Sequence, residues 1–592
     1  MNHSTSPEIK NPLAYTIYCD GKALDGSYQL TYANIRLGLN RIGKATLKLN
    51  AGQMDKQTFD EPDSNLFKPG TTIRIDVGKV NKQETLFEGI ILEVGIQLGK
   101  GTSSQMVLEC RDIAYPATQG RKNRIFEKKK DSDIIKEVLT VYGTPKVDAT
   151  SYPHPELVQY YCTDWDFALS RADACGLFIF THGREIAVFK PQVDKAPVLT
   201  LTYGVDLIDF DASLSENGQY SSYEAVSWNP ATQKEVKATA AMPTLNKQGD
   251  LSAKELGNAP NADMMQTDAP TDSQALQAWA DSQALKAGLS RYQGTFSFYG
   301  EVAAVPGCLI ELKGLGKRFS GKAFIGAVTH HIENNEWTTQ ATMGVPVGNI
   351  TEWPNVVAPS ASGWLPGVEG LHTAVVKKLD ADPGKEHCIQ VELPWMSGPK
   401  KELWARLATP YATTGSGYFF LPEPGDEVLV GFVNHDPAHP IVLGALHSSA
   451  RKPPFEHEAK NNKKAIVTRS GLTMEFDEEK KSVTLHTPAK NLIEMSDEEK
   501  SIKLKDQHGN EVTMNADGIT LSSAKDLTMK AKGNVSLDAM GKVNISSKSD
   551  LAAQGLKVLV EGKTEAIFKG MAKVELSASA QAIVKGAMVM IN

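Results

Sequence analysis

The chain has 592 residues with 63 Lys and Arg against 70 Asp and Glu, and its basic runs, residues 128–130 and 460–464, are short, which argues against a face built to grip nucleic acid. Hydrophobic residues make up 41%, Gly is frequent at 48, and no run of about eighteen apolar residues occurs, so the sequence reads as several soluble, strand-rich domains. Residues 1–11 are polar, without the apolar middle of a secretory signal, and the six cysteines show no CxxC spacing, so the expectation is cytoplasmic synthesis, no signal peptide and reduced thiols.

Residues 1–120 alternate apolar and polar side chains over short runs such as TTIRIDVG and LFEGIILEVGI, the pattern of an antiparallel β module. Residues 121–200 carry helical spacing at 131–142 and 163–175, behind Asp and Thr caps, followed after Gly176 by an LFIF strand; this is an inserted α+β subdomain. Residues 201–353 form a second β module with a helix near 272–289. Pro69-Gly70, Ile73, Ile75, Val77, Phe87, Gly89 and the run from Ile90 to Val94 are loosely copied by Pro306-Gly307, Ile310, Leu312, Phe319, Gly321 and the run from Phe324 to Val328. The two modules therefore read as relatives within one chain.

The stretch PNVVAPSASGWLPG makes 354–366 a linker. Residues 367–449 then give five or so short strands, in segments such as CIQVELPW, ELWARLATPY, GYFFLPEPGDEVLVGFV and PIVLGALH, with no helix between them, which suggests a small closed barrel such as an OB-fold. Its aromatics, Trp395, Trp404, Tyr418 and Phe419, lack the basic surroundings of a nucleic-acid site. A connector spans 450–465, and strands follow to the last residue. FDEEKKSVTL and MSDEEKSIKL, nineteen residues apart, each place a charged turn between two alternating strands.

From Ile519 an eight-residue period takes over. Ile519, Leu527, Val535, Val543, Leu551, Leu559 and Ile567 keep strict register, and Leu521, Met529, Leu537 and Ile545 follow two positions behind. Neither a helix nor a heptad has this period. Two apolar positions in eight cannot enclose a core in one chain, and a solenoid coil needs about twenty residues, so the natural reading is three chains each giving one short strand per turn. Such a rod also leaves no open sheet edge. The series falters at Glu561, Lys569 and Glu575 and resumes at Ile583 and Ile591, which implies either an outward-facing register or polar groups on the axis.

Candidate chemistry is sparse. In HDPAH, His435 and His439 flank Asp436, but Pro437 and Pro440 forbid the helix that would align them as metal ligands. His330 and His331 are adjacent on a strand and point to opposite faces. GxSxG, HExxH and Walker patterns are missing from the sequence, so no catalytic residue, metal or cofactor is expected and the chain reads as non-enzymatic.

The segments YYCTDWDFALSRADACGLFIF, PGCLIELKGLGKRFSGKAFIGAVTHHI, VELPW, WARLATPYA, GSGYFFLPEPGDEVLVGFVNHDPAHPIVLGALH and TRSGLTMEFD, in this order, resemble the VgrG-type spikes of contractile injection systems, such as type VI secretion, and the hub and needle proteins of phage tails. The resemblance implies a mainly β fold with a minor α+β insertion, made of a tandem barrel hub, an OB-fold neck and a C-terminal triple-stranded β-helix formed by a homotrimer. It marks Trp395, Trp404, Pro424, Gly425, Asp426, Asp436 and Pro437 as the neck motif. The family's loop has Gly before the Asp-Pro where this chain has His435. Implied partners are a hexameric inner tube and baseplate proteins at the hub, effectors, the target membrane in passing, and a PAAR-like tip protein on the platform Val589, Met590, Ile591 and Asn592. Such a spike punctures membranes and leaves the cell with its injection apparatus. The competing readings are a β-helical adhesin or glycan-binding fibre, for which 466–592 offers only Phe476 and Phe568 as aromatics, and a spike bearing a cell-wall hydrolase.

Overall fold

The computed structural model describes residues 13–79, 82–99, 104–256, 262–354 and 356–591. The chain forms two compact units, Met1–Leu446 and His447–Asn592.

In the first unit both predicted β modules belong to one thirteen-stranded sheet. The seam is the antiparallel pairing of Gly321–Glu333 with Leu30–Gly38, running from Ala327 opposite Gly38 to Glu333 opposite Tyr32. On one side of it lie Lys44–Asn50, Gln105–Asp112, Lys82–Gln97, Thr72–Lys79 and Leu13–Cys19. On the other lie Glu336–Met343, Tyr292–Tyr299 and Leu207–Leu214. A shared apolar core, including Ile35, Leu47, Ile75, Leu108, Phe296, Ile310 and Ile325, joins the two sides.

The internal copy is visible in hydrogen bonds. The Gly70 N–H donates to the Ile91 carbonyl (2.8 Å) and the Ile91 N–H returns to Thr71 (3.0 Å); likewise Gly307 donates to Ile325 (2.7 Å) and Ile325 to Cys308 (3.1 Å). Both strands carry a bulge just after this point, between Ile91 and Glu93 and between Ile325 and Ala327. The Pro424-Gly425 corner of the neck repeats the device, with Gly425 donating to Val376 (2.7 Å) and Val376 to Asp426 (2.9 Å). Gly70, Gly307 and Gly425 have φ of 97°, 90° and 89°, a region costly to a residue with a Cβ, which is why the same dipeptide recurs at all three corners.

The insertion holds helices Asp131–Leu139 and Asp164–Ala174 against the hairpin of Lys122–Lys130 and Pro153–Cys162. Thr163 is the expected cap, its Oγ1 accepting from the Asp166 N–H at 3.0 Å. Asp131 does not cap: Lys130 occupies that position without a side-chain bond, and Asp131 is buried as the first helical residue because Arg171 and His154 bind it. Sequence analysis also missed a small sheet, Tyr223–Asn229 with Lys234–Ala240 and Asp263–Thr267, whose Tyr223, Ala225 and Ala238 pack on Leu276, Ala280 and Ala284 of the helix Ser273–Ser290. Asp272 caps that helix, accepting from Gln274 at 2.7 Å.

The neck is a closed five-stranded barrel in the order His372–Lys378, Ile389–Glu392, Glu402–Leu407, Pro440–Ala445 and Glu427–Phe432, filled by Val376, Ile389, Val391, Val428, Val430 and Val442.

The second unit opens with a seven-stranded antiparallel meander from Lys463–Val467 to Gly518–Ser522. Among the described residues no strand follows Ser522.

Candidate assembly interface

Register within the meander sorts its side chains into two faces. One column runs Phe476, Val483, Met495, Ile502, Met514, Ile519; its neighbour runs Ile466, Met474, Leu485, Ile493, Leu504, Val512, Leu521. Between them, on the opposite face, lie Glu475, Thr484, Glu494, Lys503, Thr513 and Thr520, with Lys463 paired to Glu475 at 3.2 Å and Lys503 near Glu494 at 3.8 Å. An alternating strand produces this separation automatically, since successive side chains point to opposite faces. The columns reach Ile519 and Leu521, the two residues with which the eight-residue series begins. That series therefore continues an apolar face that starts about fifty residues earlier. Sequence analysis placed the start at Ile519 because antiparallel hairpins repeat every nineteen residues here and mask the column.

Among the described residues nothing closes over this face. Most of it is open to water, from 37% exposure at Phe476 to 74% at Ile519, with Met474, Val483 and Val512 partly buried. Farther on, Leu521, Leu527, Met529, Val535, Leu537, Val543, Ile545, Leu551, Leu559 and Ile567 are each more than half exposed. Val589, Met590 and Ile591 are also exposed, and Asn592 lies outside the described residues. So long an uncovered apolar surface marks an interface.

The neck motif is not one site. Trp395 lies tilted against His372 at 4.9 Å, and His372 meets Phe432 edge-on at 5.7 Å. Trp404 sits opposite Gln390 in the barrel wall. Pro424, Gly425 and Asp426 form a corner where Asp426 accepts from the Glu423 N–H at 2.8 Å. Asp436 holds a separate turn ahead of Pro437, accepting from Ala438 at 2.9 Å. In that turn Asn434 and His435 both take positive φ, 52° and 59°, which explains why glycine suits the position. His435 contacts Ser360 at 3.2 Å and its carbonyl accepts from Val368, fastening the barrel to the 354–366 segment. A hairpin between Tyr411 and Phe420 exposes Tyr411, Tyr418, Phe419 and Phe420, an aromatic cluster that sequence analysis noted only in part.

Buried polar groups in the first unit are structural in their chemistry. Asp131 accepts from Arg171 Nε (2.6 Å), lies 2.8 Å from His154 Nε2, and takes the Cys175 thiol at 3.3 Å. Cys, His and Asp thus meet, yet burial pushes the Cys175 thiol up to about 12, so no thiolate is available as a nucleophile. Burial also drives His330 down to about 3; it is neutral, its Nδ1 lying 2.9 Å from the Thr339 hydroxyl, while His331 faces the other side beside Asn34. Lys286, in the long helix, is buried against Asp173 of the insertion (3.0 and 3.1 Å) and Asn349 (3.2 Å). That tie had no sequence signal, because Lys286 looks like any helical lysine. Among the described residues no three His, Cys, Asp or Glu side chains are grouped to hold a metal, and no helix is long and apolar enough to cross a membrane.

Residues 10–334, more than half of the chain, match the Alg8 N-terminal domain; 372–447 match the type VI secretion system/phage-baseplate injector OB domain; 482–592 match the phage baseplate V C-terminal trimerisation domain. The spike protein VgrG1b of Pseudomonas aeruginosa is 24% identical over 435 residues. The chain belongs to the Alg8 N-terminal domain family and is a VgrG-type spike. The alignment with VgrG1b covers 66% of this spike and 56% of the relative, and VgrG4b of the same organism is 32% identical over 130 residues, 20% of this spike and 16% of that protein. The spike thus spans about half or less of the curated relatives it matches. A solved component of the type VI secretion system of E. coli is 13% identical and covers 73% of this chain and 99% of its own, with a TM-score of 0.37.

Proposed function

We propose that this structural spike is a non-enzymatic homotrimer that caps the inner tube of a contractile injection system and is driven through a target membrane. The observation that carries this reading is the pair of apolar columns running from Ile466 toward the C-terminus, with nothing among the described residues to close over them. Three copies around an axis would bury both columns and supply the strand partners that the described residues beyond Ser522 lack within the chain. The match of 482–592 to a trimerisation domain supports the same stoichiometry.

The hub supports the same reading. Two related β modules per chain, marked by the matching Gly70 and Gly307 corners, become six in a trimer, suited to a hexameric tube and the surrounding baseplate. The exposed Val589, Met590 and Ile591 would seat a PAAR-like tip protein with Asn592 at their end, and effectors would travel on the spike. The 466–592 region has too few aromatics for a glycan-binding fibre. Measuring the mass of the full chain in solution tests the proposal: three times 64.3 kDa is expected, and a stable folded monomer would refute it.

A further inference from the structure

Beyond Ser522 the chain bends at regular intervals. Bends fall at Ala524–Lys525, Lys532–Gly533, Met540–Gly541 and Lys548–Ser549, then at Leu556, and afterwards at Lys563–Thr564, Met571–Ala572, Ser579–Ala580 and Ala587–Met588. Counted on the second residue of each corner, Leu556 being the second of Gly555-Leu556, every step is eight residues except the one from Ser549 to Leu556, which is seven. The rod therefore contains one short turn, and all side chains beyond it are displaced by one position relative to the bends.

Because strand side chains alternate, a displacement of one exchanges the two faces. Before the short turn the paired positions hold Leu527/Met529, Val535/Leu537, Val543/Ile545 and Leu551/Ala553. If the same phase continued, the next pairs would be Leu559/Glu561, Ile567/Lys569, Glu575/Ser577 and Ile583/Lys585. Three chains would then bring Glu561, Lys569, Glu575 and Lys585, each in triplicate, onto one axis, at a large desolvation cost. Shifted by one, the pairs become Val558/Val560, Ala566/Phe568, Val574/Leu576 and Ala582/Val584, and every charge leaves the axis.

Corner glycines change role at the same place. A Cβ on Gly533 or Gly541 would meet nothing within 4 Å, whereas on Gly562 or Gly570 it would lie 2.3 Å from the carbonyl of Glu565 or Lys573. At these two later corners a Cβ would crowd backbone that the earlier corners leave open. Lys573 is also ion-paired with Glu575, two residues on and so on the same face.

We infer that the trimer interface slips by one residue at Gly555-Leu556, so that Val558, Val560, Phe568, Val574, Leu576 and Val584 of each copy pack against the other two copies, while Leu559, Ile567, Glu575 and Ile583 face solvent. The inference rests on the trimer reading. It moves Leu559 and Ile567 from the core to the surface, and it places Met590 rather than Ile591 on the axis side of the tip.

Two single substitutions in the full chain separate the registers. Leu576→Asp strikes the interface only if the slip occurs, and Ile567→Asp strikes it only if it does not. Purified variants are treated with trypsin, and cleavage after Lys563, Lys569, Lys573 and Lys585 is followed by mass spectrometry. The expected result is a resistant wild type, an Ile567→Asp variant cleaved within about twofold of it, and a Leu576→Asp variant cleaved at least about tenfold faster. Faster cleavage of Ile567→Asp, or a resistant Leu576→Asp, overturns the slip. A wild type with the mass of one chain would instead overturn the trimer itself.

Discussion

Ile493 sits near the middle of the apolar face, between Leu485 and Leu504 on neighbouring strands, and is 44% exposed in the single chain. If three copies close over it, that remaining surface, roughly 80 Å² per chain, leaves water and stabilises each chain by about 2 kcal/mol. The trimer then gains about 6 kcal/mol from this one position, equivalent to roughly 10⁴ in the assembly constant. Ile493→Ala should forfeit most of that, and Ile493→Asp more, because three carboxylates would be buried together. Thr484→Ala, on the opposite face, should change assembly by less than about 0.5 kcal/mol. Sedimentation equilibrium over a range of concentration reads the constant directly. Equal trimer stability for the wild type and Ile493→Asp would refute the claim that this face is internal.

Three further outcomes follow from the first unit. Breaking the buried Lys286–Asp173 pair by Lys286→Met should lower stability by about 3–5 kcal/mol, whereas removing both charges with Asp173→Leu and Lys286→Met should recover much of the loss; urea unfolding of the four proteins gives the cycle. Burial raises the Asp112 carboxyl from 3.8 to about 7, so the folded state retains its proton longer than the unfolded chain, and this stabilisation is full below pH 3.8 and lost as pH rises through 7. Asp112→Asn, keeping the acceptor for the Ala114 N–H, should therefore show a gain over wild type that grows from pH 4 to pH 8 by up to about 4 kcal/mol; a constant difference would contradict the buried-acid account. His435→Gly should raise the melting temperature by relieving a left-handed backbone worth about 1 kcal/mol, and His435→Val should lower it, as calorimetry can check.

The sequence made the element types legible wherever one local rule sufficed. Thr163 and Asp272 precede helices and cap them, and Pro-Gly dipeptides mark corners whose geometry demands glycine. It failed where a partner distant in sequence decided the outcome. Asp131 resembles a cap but is claimed by Arg171, forty residues away, and Lys286 resembles a surface lysine but is claimed by Asp173. The small sheet that holds Tyr223 was invisible for the same reason, since its core is completed by alanines of a helix about fifty residues downstream. In the meander, an eight-residue window could not reveal that Phe476 and Met495 belong to the column that ends in Ile519.

The two halves of the C-terminal unit differ in what they can complete alone. From Lys463 to Ser522 each strand pairs with the next through short turns, so backbone hydrogen bonds close within one chain and only the apolar face awaits a partner. Beyond Ser522 neither requirement is met, because no strand pairing exists among the described residues and the apolar side chains are open to water. Local pairing costs little loop entropy, whereas pairing between chains depends on concentration. In the proposed trimer the meander is therefore the part that would form first and set the alignment of the three copies, since an error of one residue in its register would turn Glu494 and Lys503 inward. Once three chains were aligned in that trimer, the octads would have one productive phase to follow, and the seven-residue turn at Leu556 would be accommodated only if all three chains made it at the same level.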